Sequence, residues 1–125
     1  MCWIGNTKDK KIAEKNIPII KICFKKAGKI ISLIYNFEYV LNKVYTTKLI
    51  TEFPSTINHG FHSYAKECEL QNFVYIYNDN LYLVSRYIPI YLVNGYIPKG
   101  SIYYINTHYE IVSNSIVLTK CHKLF

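Results

Sequence analysis

Short apolar runs punctuated by Gly, Pro, Asn and Asp recur along the chain. Most alternate with polar positions at a period of two, which predicts strands with one buried face. Ile19 to Phe24 is the first, alternating imperfectly around Lys21. Lys25-Lys26-Ala27-Gly28-Lys29 then supplies a turn in which Gly28 is free to adopt positive φ, and Ile30 to Tyr35 returns as the second arm of a hairpin. Asn36 to Lys43 reads as an irregular connection, and Val44 to Glu52, rich in Thr, Tyr and Ile, as another strand. Phe73 to Tyr77 and Leu81 to Tyr87 form the clearest hairpin around Asn78-Asp79-Asn80, residues that tolerate tight-turn backbone angles. Ile88 to Val93 continues extended past Pro89, which belongs at an edge or bulge, and Asn94-Gly95 signals a turn. Ser101 to Ile105 and Glu110 to Leu118 add two strands across Asn106-Thr107-His108, and Lys120 to Phe125 reads as a frayed basic end.

Helical patterning is scarce. Lys10 to Lys15 allows a short helix that Pro18 would end. Ala65 to Leu70 is better, with helix formers, no β-branched residue and Ser63 as a candidate cap. About seven or eight short strands with one or two short helices predict an α+β fold, a single compact β-rich domain over residues 1–125.

Composition sharpens this reading. The chain is half hydrophobic and carries 13 Tyr, 6 Phe and 1 Trp, which speaks for a packed body rather than a disordered one. Tyrosine suits half-buried strands and also surfaces that grip planar ligands. The abundance of Ile, Lys, Asn and Tyr also follows from an AT-rich coding sequence. The net charge of +7 is uneven: residues 1–50 hold ten Lys against three acids, and the remainder is neutral. Such a basic half suits phosphate or another anionic partner, or is simply a solvated surface. A single Arg, Arg86, argues against sequence-specific nucleic-acid readout, which leans on bidentate guanidinium contacts.

Cys2, Cys23, Cys68 and Cys121 are scattered without a CxxC pair, a spacing that fits reduced thiols better than a zinc site. No apolar run is long enough for a membrane helix, and none sits in a secretory leader pattern, so the expected location is the cytoplasm. If Met1 were removed, Cys2 would be an N-terminal nucleophile with its own amine as base, although no supporting constellation is visible.

Candidate chemistry gathers late in the chain. Glu110, the one acid after Asp79, stands beside His108 in a Tyr-rich strand pair, where it suits acid/base work or a ribose hydroxyl. Lys99 with Tyr103, Tyr104 and Tyr109 suits a wall that holds phosphate and stacks a base. His62 and Ser63 form a second candidate, though neighbours on an extended chain point apart. His59, His62 and His108 have no diagnostic metal spacing, so no metal is assigned. Each of these residues also has a plain reading as strand packing or solvated edge.

Met1-Cys2-Trp3, Ile19-Ile20-Lys21, Gly60-Phe61-His62-Ser63-Tyr64, Ile97-Pro98-Lys99-Gly100-Ser101 with Tyr103-Tyr104, and Glu110-Ile111-Val112-Ser113 together resemble a group of small proteins from gut Bacteroidales and their phages, crAss-like ones included. That resemblance implies a phage or host origin, and no activity comes with it. The order of an early strand, a Gly-Phe-x-Ser segment before a helix, an Ile-Pro-Lys-Gly turn and a late strand-borne Glu is also similar to the ADP-ribosyltransferase fold. This second resemblance implies Ser63 beside an NAD site and Glu110 as the catalytic glutamate, with Lys21 where that family carries Arg, His or a Tyr-based motif.

The resulting expectation is a phage-type protein that binds a nucleotide-like anionic small molecule and so sequesters a host signal. His62, Ser63, Lys99, Tyr103, Tyr104, His108 and Glu110 would line its site. The alternatives are an ADP-ribosyltransferase-like enzyme, the one case that requires NAD as cofactor, and a structural or interaction component. The last would bind a host protein or self-associate as a homo-oligomer.

Overall fold

The computed structural model describes residues 3–32, 37–53, 56–65 and 90–123. These residues contain strands and no helix, which corrects the expected α+β class to all-β. The expected ADP-ribosyltransferase-like architecture, itself α+β, falls with that class. Where Lys10 to Lys15 suggested a helix, the chain forms β2 (Lys11–Ile12), because its backbone pairs with Tyr103 and Ile102 and Ala13 exchanges hydrogen bonds with Ser101 and Gly100. Edge pairing there outweighs a weak local propensity. Ala65 ends a strand, and the rest of the expected helix, like the hairpin of 73–87 and Pro89, lies outside the described residues.

The principal sheet is antiparallel. It contains β3 (Ile17–Lys26), β4 (Lys29–Ser32), β5 (Glu38–Tyr39), β6 (Val44–Thr46), β9 (Phe61–Ala65), β10 (Ile90–Ile97), β11 (Ile102–Ile105), β12 (Glu110–Ser113) and β13 (Ser115–Lys123), together with β2. Its order is β2-β11-β12-β9-β3-β10-β13-β6, with β4 and then β5 branching from β3. A second sheet of β1 (Trp3–Ile4), β7 (Ile50–Phe53) and β8 (Thr56–His59) packs on its outer face.

Connectivity forces the large sheet to roll. β12 and β13 lie on opposite sides of β3 in the order, yet only Asn114 separates them in the chain. The two wings must therefore meet at that residue. Asn114 secures the corner by accepting the Ile102 N–H at its Oδ1, 2.9 Å, and donating its own N–H to the Ile102 carbonyl, 3.0 Å. The 40–43 link crosses the other opening, from β5 to β6, and Asn42 donates its N–H to the Leu118 carbonyl.

The inner face of the roll holds the main core, including Ile19, Cys23, Val93, Ile97, Ile111, Ile116 and Leu118. Trp3, Ile57, Tyr104 and Val112 form a smaller core between the large and small sheets. Several local expectations change. Asn94-Gly95 is not a turn, since β10 runs straight through it and the register against β13 shifts there. A Cβ at Gly95 would run into the Val117 carbonyl oxygen, so close strand approach explains this glycine. β13 continues to Lys123 where a frayed end was expected.

Candidate functional site

Strand alternation turns Ile19, Lys21 and Cys23 of β3 toward the inner face. Lys21 pairs with Val93 on one side, and Val93 with Cys121 beyond it. On the other side, Ile19 pairs with Ala65 and Ile20 with Tyr64, and Ser63, the next residue of β9, pairs with Ile111 of the inner core. An otherwise apolar row is thus interrupted by one ammonium and one hydroxyl.

Neither group is fully satisfied. Lys21 is only 9% exposed and has three N–H donors, of which one goes to the His62 carbonyl oxygen. The ion pairs among the described residues, Lys11 with Asp9 and Lys29 with Glu38, do not include it. Its Nζ stands 5.7 Å from the centre of the Tyr39 ring. Ser63 is 2% exposed, and its Oγ has no hydrogen-bond partner among the described residues. Burial lowers the Lys21 pKa from its ordinary value, with Cys23 partly opposing. Burial also pushes the Cys23 thiol up to about 11 and raises the Tyr39 hydroxyl. The His62 imidazole, on the opposite face of β9, is brought down to about 4 by burial first and by Lys21 second, and its Nε2 is unpartnered. Among the described residues the inner site therefore offers donors without a carboxylate to match them, a chemistry that suits an anionic oxygen.

Aromatic rings pack between Lys21 and the surface. Phe37, Tyr39, Tyr45 and Phe61 form a cluster with centroid distances of 4.8 Å for Phe37–Tyr39, 5.2 Å for Tyr39–Tyr45 and 5.4 Å for Phe37–Tyr45. Tyr39 and Phe61 are buried, whereas Phe37 is 41% exposed.

No family model, curated protein or solved structure matches the chain.

The residues singled out from sequence scatter over that geometry. Glu110 pairs with Tyr64 and Ser63 with Ile111, so alternation puts the glutamate and the serine on opposite faces. Glu110 is held by Asn106, whose Nδ2 donates to Oε1 at 3.3 Å and whose Oδ1 accepts the Glu110 N–H at 3.0 Å. Tyr104 packs on Trp3 in the outer core, with centroids 5.7 Å apart, while Tyr103 packs on the inner core. Lys99 and His108 are exposed in turns, where their backbone N–H groups are bonded to Asn16 and Asn106. His59 pairs with Thr47 at 2.8 Å. Among the described residues, no group of three or more His, Cys, Asp or Glu could hold a metal, and no helix is long and apolar enough to cross a membrane. Of the expected residues, Ser63 lies at the inner site, and His62 contributes its carbonyl there. Lys21, Tyr39 and Phe37 were not singled out as site residues, although the signal for Lys21 was its break in the Ile19 to Phe24 pattern.

Proposed function

We propose that this protein is a binding module for a nucleotide-like anionic small molecule, held inside the rolled sheet with its charge at Lys21 and Ser63. The buried lysine, without a carboxylate partner among the described residues and on the same inner face as an unpartnered serine hydroxyl, carries the reading. A buried amine with a lowered pKa is costly to charge, and an arriving anion favours the charged form. An anion beside Lys21 moves its pKa back up toward the ordinary value, and affinity is lost once the pH is high enough to deprotonate the amine. Sequestering a signal requires only such a site. A transferase would need Ser63 and Glu110 together, and their opposite faces favour the binder.

Titration calorimetry with adenosine 5′-monophosphate tests the proposal. Saturable heat that disappears in Lys21→Met is expected. Absence of heat in the unmodified protein, or full retention in the variant, would overturn it.

A further inference from the structure

β2 is the terminal strand of the large sheet, and among the described residues it pairs with β11 alone. The bonds around that pair fix which way its backbone faces. Ala13 donates its N–H to the Ser101 carbonyl at 2.9 Å and accepts from the Gly100 N–H at 2.8 Å, so its backbone is turned toward β11. Ile102, the register partner of Ile12, gives both its N–H and its carbonyl to Asn114 on the far side. Ile12 and Ile102 are therefore a non-hydrogen-bonded pair, and the N–H and C=O of Ile12 point outward from the sheet. Ile12 itself is 62% exposed. The charge along this edge is one-sided. Lys11 pairs with Asp9 at 3.5 Å, which leaves Lys8, Lys10 and Lys15 exposed on the segment that carries β2, against Glu14. Lys99, also exposed, is brought beside that segment by its N–H bond to the Asn16 Oδ1 at 2.9 Å. Lysines along an open strand repel a second copy of the same strand. The occupant that complements both the outward backbone and the charge is an acidic strand.

We infer that β2 is a docking edge for a partner protein, which adds an extended acidic segment to the sheet at Ile12. Main-chain bonds to Ile12 set the register of that segment, its side chain adds apolar contact, and the surrounding lysines hold the carboxylates. The edge lies apart from Lys21, which faces the interior of the roll, so this inference stands independently of the anion reading.

Two short peptides are compared by NMR titration of the full chain, one alternating Glu with Val and Thr, the other with Lys in place of each Glu. The acidic peptide is expected to bind at least about tenfold more tightly than the basic one, and to slow exchange of the Ile12 amide proton. Lys10→Glu combined with Lys15→Glu is expected to remove that preference. Ile12→Pro deletes the outward N–H without touching a ladder bond, so the fold should survive and acidic-peptide affinity fall by about tenfold or more. The charge reversal alters exposed side chains only, which keeps the test decisive if the proline variant does not fold. Failure of the acidic peptide to bind, equal affinities for the two peptides, or binding that leaves the Ile12 amide unprotected overturns the inference. So does a dimer that Ile12→Pro abolishes, since the occupant would then be a second copy. Displacement of the acidic peptide by an equal concentration of oligothymidylate also overturns it, since the edge would then read a nucleic-acid backbone.

Discussion

Trp3 in the outer core and Lys21 with Ser63 on the inner face treat buried polar atoms in opposite ways. In the outer core, Trp3 is 1% exposed, and its indole N–H is satisfied by the Glu110 carbonyl at 2.9 Å. On the inner face, Lys21 keeps spare donors among the described residues and Ser63 has an unpartnered hydroxyl. The first arrangement is what packing alone selects. The second leaves polar groups under-satisfied, which lowers stability and is tolerated where a ligand completes the bonding. The contrast separates a structural corner of the fold from a working one.

The strongest way to break the comparison is to truncate the outer core. Trp3→Ala is expected to destabilise the fold by about 3–5 kcal/mol in denaturant unfolding, because it removes a fully buried ring and its hydrogen bond. A variant that still folds should keep its anion affinity. If affinity falls as steeply as stability, the two cores are not separate in function.

Acid tests the unpartnered histidine on the outer face of β9. With a folded pKa of about 4 against 6.5 for the free side chain, the unfolded chain binds a proton in that window and the native chain does not. Stability should therefore fall as the pH drops from 6.5 to 4, by up to about 3 kcal/mol, and His62→Phe should flatten that slope. An unchanged slope in the variant would show that other groups dominate.

Smaller effects sharpen the inner side. Ser63→Ala removes a hydroxyl with no partner, so stability should stay within about 1 kcal/mol of the parent or rise, while anion affinity falls. Destabilisation well beyond that would mean that the hydroxyl is bonded in the native state. Smallest of all is Glu110→Gln, expected to change stability by less than about 1 kcal/mol and anion binding not at all. A loss of binding there would restore Glu110 to the site.

Much of the strand content was legible in the sequence. The turn at Ala27-Gly28, with φ of 53° and 79°, joins β3 to β4 as its residues suggested, and β11 and β12 flank the Asn106 turn as expected. What escaped is non-local. Asn114 sits in a run that reads as one strand, and only the pairing of β12 with β9 and β13 with β10 makes it a corner. Asn94-Gly95 has turn chemistry, yet strand crowding at Val117 accounts for the glycine. Lys21 reads as an imperfect alternation because its burial depends on strands far along the chain. Glu110 drew attention by its isolation, and Asn106, four residues away, absorbs it into a turn.

The most direct measurement is the stability and anion affinity of Lys21→Met, taken together on one preparation. If Lys21 is kept for a ligand, an apolar side chain of similar length should stabilise the empty protein by about 1–3 kcal/mol and abolish binding. A variant that is less stable than the parent and binds the nucleotide unchanged would contradict the account, because Lys21 would then be a structural tie between β3 and β9.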